Sequence, residues 1–146
     1  MPAFEVSSHC RYHITYHIVW IVKCREKLLI TNPVVKRLVE LLHTIGTDWD
    51  MPVEEVGSDR DHLHLFCKSY PDIPPSRVVK LFKGISAREL LREFPHLRCK
   101  TGAGLWGVGY YLSTVGHGTY EGAVRAYVRN QGKPDQSFYT QLKLKI

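Results

Sequence analysis

Two short spacings in this 146-residue chain combine residue types suited to metal binding and nucleophilic chemistry. The first is His62-Leu63-His64, within the run DRDHLHLFCK. Residues two apart on a strand share a face, so the two imidazoles point the same way while Leu63, Leu65 and Cys67 alternate with or extend beyond them. Two adjacent imidazoles on an open sheet face suit a divalent metal. The same spacing also describes two half-exposed histidines on a sheet surface. His13 and His17 share a strand face in the same manner and are given no role. The second spacing is Tyr127-Val-Arg-Asn-Gln131. Four apart on a helix, Tyr127 and Gln131 stack about one turn from each other, a phenol nucleophile beside an amide oxygen able to complete a metal site. Each has a plain reading as well. Tyr127 fits an interfacial core aromatic in line with Tyr120, Ala123 and Val124, and Gln131 a solvated helix end stopped by Gly132.

Positioning these groups requires a framework, and hydropathy periodicity supplies one. Arg11–Val22 alternates Tyr12, Ile14, Tyr16, Ile18, Trp20 and Val22 with His13, Thr15, His17, Val19 and Ile21, which predicts a long strand with one face in a core. Thr31-Asn32-Pro33 reads as a helix start, followed by Val34, Val35, Leu38, Leu41, Leu42 and Ile45 at helical spacing and by Gly46 near the stop. Val53–Gly57 and His62–Lys68 predict an antiparallel hairpin across the polar turn Ser58–Asp61. Asp72-Ile-Pro-Pro-Ser76 opens a second helix, apolar through Val78, Leu81, Phe82, Ile85, Leu90, Leu91 and Phe94. Leu105–Val115 predicts a fourth strand, and Tyr120–Asn130 a final short helix. The order β-α-β-β-α-β-α predicts an α+β fold, a ferredoxin-like or RRM-like four-stranded antiparallel sheet with two helices on one face and a C-terminal helix that carries Tyr127. The other face must then be covered by the last helix, a second chain or a ligand.

Composition sets the class. The chain has 20 Lys+Arg against 14 Asp+Glu, a formal charge of +6, which points first to a polyanion such as nucleic acid. Its 44% hydrophobic and 23% charged residues argue against disorder and against disulfide-stapled or collagen-like classes. The length predicts a single domain spanning 1–146, with a core of about 11–132 and a C-terminal tail 133–146. The longest apolar run, Ile18–Val22, falls far short of the ~20 residues of a membrane-spanning helix. Cys10, Cys24, Cys67 and Cys99 show neither a C-x-x-C pair nor zinc-finger spacing, so reduced thiols in a cytoplasmic protein are expected. Arg77, Lys80, Lys83, Arg88 and Arg92 make the exposed side of the second helix basic, fitting either solvated charge or phosphate contact.

Taken in order, these segments resemble a family: the single-tyrosine HUH transposases of small bacterial and archaeal insertion sequences, with the REP-associated tyrosine transposases as cousins. The resemblance runs from about Tyr12 to Gly132 through YHITYHIVWIVKCR, DHLHLF, VVKLFKGISARELLREFP, LWGVGYYLSTVG and YVRNQ. It implies that His62 and His64 are metal ligands, Gln131 the third protein ligand and Tyr127 the catalytic nucleophile. It further implies a divalent metal, Mg²⁺ or Mn²⁺, and a homodimer acting on single-stranded DNA with hairpin ends. Arg77, Lys80, Lys83 and Arg88 are the candidate DNA contacts. The competing class is a non-catalytic RRM-like module binding single-stranded nucleic acid. Against it, an RNP1-like run of aromatics is missing.

Overall fold

The structure, a computed structural model, describes residues 4–29, 32–98 and 104–116. The expected long first strand is interrupted at His13. Glu5–Ser7 (β1) and Cys10–Tyr12 (β2) form a separate antiparallel ribbon, and Ile14–Ile21 (β3) enters the main sheet. Helix α1 spans Asn32–Asp48, followed by β4 (Val53–Asp59), β5 (His62–Ser69), α2 (Pro75–Glu93) and β6 (Tyr111–Thr114).

The main sheet has the order β4-β5-β3-β6, with all neighbours antiparallel. This is the predicted ferredoxin-like arrangement, in which the first and third strands of the β-α-β-β-α-β unit lie at the centre. Register places Tyr16 opposite Cys67, Ile18 opposite Leu65 and Trp20 opposite Leu63. These residues face the helices and join Leu38, Leu42 and Ile45 of α1 and Val78, Phe82 and Leu90 of α2 in one core. Complete burial of each such side chain contributes roughly 1.5–3 kcal/mol. The alternate positions pair His17 with Phe66, Val19 with His64 and Ile21 with His62 on the second face. That face is also closed to solvent at its centre, with Thr15, His17, Val19 and His64 all buried.

Packing sets two of the boundaries. Gly46 lies two residues before the end of α1, near the stop as expected, and is buried there: a Cβ would lie 2.6 Å from the Met51 carbonyl oxygen and 2.9 Å from Val53 Cγ2. Glycine therefore lets the helix end approach the start of β4. The fourth strand is short because Leu105–Tyr110 peels away. Trp106 keeps one isolated bridge to Val22, and the segment Gly107–Gly109 turns its carbonyls towards the Lys83 ammonium of α2, which donates to Gly107 O at 2.7 Å and Gly109 O at 3.1 Å. The expected helix Tyr120–Asn130 lies outside the described residues.

Candidate active site

Alternation along β5 sends His62 and His64 to the face opposite the helices, as their spacing requires, but the sheet buries both instead of leaving them half exposed. Each ring is held from behind. His62 Nδ1 lies 2.5 Å from Asp61 Oδ1, and His64 Nδ1 lies 2.8 Å from His17 Nε2. Asp61 holds the tight turn before β5, so the neighbouring residue orients the first imidazole from the turn rather than from the strand face. His17 reaches the second because β3 and β5 pair in a register that sets it diagonally beside His64.

His17 is itself fixed by stacking. Its ring lies 4.9 Å from that of Phe66 with the planes 8° apart, 5.1 Å from that of His64, and edge-on to Tyr111 at 6.2 Å. Burial pushes its pKa down to about 4. His64 is held well below the usual imidazole range by burial first, then by the neighbouring His17 and His62. At neutral pH both rings are therefore uncharged. A hydrogen bond between two neutral imidazoles has one donor, and when His64 Nδ1–H donates to His17 Nε2, His64 retains a lone pair on Nε2. Asp61 fixes the matching tautomer of His62, with Nδ1–H donating to the carboxylate.

The donor set fits a divalent metal. A metal–nitrogen bond of about 2.0–2.1 Å puts an imidazole centroid about 3.2 Å from the ion, so two rings sharing one ion have centroids no more than about 6.4 Å apart. The His62 and His64 centroids are 5.9 Å apart, with the planes at 64°. Among the described residues there is no group of three His, Cys, Asp or Glu side chains able to hold an ion. Tyr127 and Gln131 lie outside the described residues.

A family model described as "Transposase IS200 like" matches residues 10–131. The chain belongs to this family. Among its relatives, the ISDra2 transposase TnpA of Deinococcus radiodurans is 31% identical over 121 residues, covering 82% of this chain and 85% of that protein. The transposase for insertion sequence element IS200 of Salmonella typhimurium is 27% identical over 137 residues, covering 88% and 84%. A crystal structure from Deinococcus radiodurans, described as a transposase, superposes with a TM-score of 0.72 at 28% identity, over 89% of this chain and 99% of the other. The REP-associated tyrosine transposase, solved bound to a REP hairpin, shares the fold with a TM-score of 0.53 at 16% identity, over 84% and 70%.

In this IS200-like transposase the four basic candidates on α2 separate. Arg77 and Lys80 are exposed and take part in no ion pair among the described residues. Arg88 is exposed but lies 3.6 Å from Glu89. Lys83 is half-buried, its ammonium surrounded by backbone carbonyls and its pKa lowered by burial, which suits it to holding a loop better than to gripping phosphate. His17 is the site residue that sequence reasoning passed over. Its alternation gave a face, and only the strand register brought that face against His64. No helix among the described residues is long and apolar enough to cross a membrane.

Proposed function

We propose that this IS200-like transposase cleaves and rejoins single-stranded DNA at the hairpin-bearing ends of an insertion sequence, acting as a homodimer through a 5′-phosphotyrosine intermediate. Tyr127 is the nucleophile, and His62, His64 and Gln131 hold a divalent ion, Mg²⁺ or Mn²⁺. What supports the reading is the family membership together with one geometric observation: two buried imidazoles on one sheet face, each held at Nδ1 by a partner of its own. The use of hairpins is suggested by the REP hairpin in the structure of the REP-associated relative.

A phenol of ordinary pKa ~10 is only ~0.1% ionised at pH 7, so its attack on phosphorus needs assistance. The chemistry that such an ion supplies when bound is polarisation of a non-bridging phosphate oxygen and relief of charge on the departing 3′ oxygen. The chain's own residues do the rest. Asp61 and His17 hold both imidazoles in one tautomer, and burial keeps His64 uncharged. Tyr127 attacks in line. The bond from its phenolic oxygen to phosphorus forms as the bond to the 3′ oxygen breaks, and the proton lost by the phenol is balanced by the one gained at the new 3′-hydroxyl. The phosphotyrosine keeps the free energy of the broken diester, so a later 3′-hydroxyl displaces Tyr127 and rejoins strands without ATP.

The test is a denaturant-resistant protein–DNA adduct. Wild type incubated with single-stranded element ends and Mn²⁺ or Mg²⁺ forms it, and Tyr127→Phe does not. An adduct that persists in Tyr127→Phe assigns the nucleophile elsewhere, and no adduct with any hairpin substrate favours the binding module.

A further inference from the structure

One end of the sheet carries charge opposite to that of the chain as a whole. A cavity of about 80 Å³ lies there, lined by Glu5 of β1, Tyr12 of β2, Asp50 and Pro52 of the connection between α1 and β4, and Lys68 and Ser69 at the end of β5. Two carboxylates face one ammonium in a chain whose formal charge is +6. Lys68 Nζ lies 3.6 Å from Glu5 Oε1, whereas Asp50 takes part in no ion pair among the described residues. Ser69 gives a second, independent sign of a missing partner. Register sets it opposite Ile14 at the end of the inward row Leu63, Leu65 and Cys67, and it is only 4% exposed. Its Oγ is buried with no hydrogen-bond partner among the described residues, although buried hydroxyls are ordinarily paired. Desolvation first, then the carboxylates of Glu5 and Asp50, hold the Tyr12 phenol above its usual range, so at pH 7 it is a neutral hydroxyl whose oxygen accepts.

We propose that this cavity binds the primary ammonium end of an alkylamine, with Asp50, Ser69 Oγ and the Tyr12 hydroxyl accepting its three N–H bonds. Charge and donor count select this occupant. A phosphate is repelled by the excess carboxylate, and a water molecule satisfies Ser69 while leaving that charge uncompensated. A divalent metal lacks ligands, since no group of three acidic or metal-binding side chains among the described residues is able to hold one. An ammonium brings one positive charge and three donors to one free carboxylate and two hydroxyls. The volume admits two or three groups the size of a water molecule, at about 30 Å³ each, so the nitrogen and its first methylenes enter while the rest of the amine stays in solvent. Glu5, whose side chain is 51% exposed, then stands at the rim for a second ammonium. Position sets the role. Ser69 and His62 are at opposite ends of β5, roughly 23 Å apart at about 3.3 Å per residue, so the bound amine is remote from the histidine pair. It bridges instead the β1–β2 ribbon, through Glu5, and the segment after α1, through Asp50, two acidic pieces of chain that repel each other without it.

Calorimetric titration of the full chain with spermidine, in KCl near physiological ionic strength and with DNA and divalent metal left out, reads this site apart from the reaction. Wild type is expected to bind at one saturable site. Asp50→Asn and Ser69→Ala should each weaken that binding roughly 10- to 100-fold, the range for loss of one hydrogen bond to a charged group. Asparagine tolerates the left-handed backbone of Asp50, φ 58°, so this variant keeps the fold even where Ser69→Ala does not, as circular dichroism checks. A lysine side chain presents the same ammonium as a polyamine, and Nα-acetyl-lysine amide as a second titrant separates the two sources. Tighter binding of spermidine than of the lysine amide, with the difference lost in Glu5→Gln, assigns a free polyamine. Equal binding that Glu5→Gln leaves unchanged assigns a lysine side chain, and both results uphold the ammonium site. The absence of saturable binding of either titrant to wild type overturns the proposal, as does wild-type affinity in folded Asp50→Asn.

Discussion

Replacing His17 by Phe isolates the role of the buried histidine pair. The substitution keeps a ring that can stack on Phe66 and removes the Nε2 atom 2.8 Å from His64 Nδ1. Loss of an outer partner that orients a metal-ligating histidine typically lowers metal affinity about 10- to 100-fold, or roughly 1.4–2.7 kcal/mol. Stability falls as well. The buried His64 Nδ1–H loses its acceptor, at a cost of roughly 1–3 kcal/mol, and each kcal/mol lowers the melting temperature by about 2–4 °C in a domain of this size. Calorimetric titration with Mn²⁺ gives the affinity without requiring DNA, and urea denaturation gives the stability. His17→Gln, whose amide oxygen also accepts a hydrogen bond, should recover part of the affinity lost in His17→Phe. Mn²⁺ affinity within twofold of wild type in folded His17→Phe would falsify the orienting role of His17.

Other outcomes follow from the same interior. His17 titrates at about 4 in the fold and near 6.5 when unfolded, so the unfolded chain takes up protons first as pH falls. Stability is complete above about pH 6.5 and declines towards pH 4, by roughly 3 kcal/mol from this residue, with His64 acting in the same direction; a flat urea midpoint across that window in wild type refutes it. Gly46→Ala drives a methyl group into the Met51 carbonyl and Val53, so denaturation should show a loss of roughly 1–3 kcal/mol, against the usual gain for glycine to alanine inside a helix. Cys67 is buried with its thiol pushed up to about 12 by burial and then by Glu54, whereas Cys24 is exposed. Iodoacetamide at pH 8 should therefore modify Cys24 in the native protein and reach Cys67 only after unfolding, as read by peptide mass spectrometry.

Periodicity and turn residues determined the order of the elements from β3 to β6, the antiparallel ferredoxin-like sheet and the faces of its strands, because side chains alternate on a strand whatever the chain does elsewhere. On that basis His62 and His64 were legible as a pair and Leu63, Leu65 and Cys67 as core. The order of five segments made the family legible too, a matter of resemblance and not of periodicity. What the sequence could not show was anything dependent on register or on contact between distant segments. His17 and His64 are 47 residues apart, and only the pairing of β3 with β5 turns an unassigned histidine into the partner of a proposed metal ligand. Lys83 looked like one more cation on a basic helix face until the loop 24 residues later folded its carbonyls onto the ammonium. Gly46 read correctly as lying near the helix stop, but local signals could not include Met51 and Val53 packing back on it. Local sequence thus determined which way each side chain faces, and tertiary structure decided what it meets there, because hydrogen bonds and close packing form between neighbours in space.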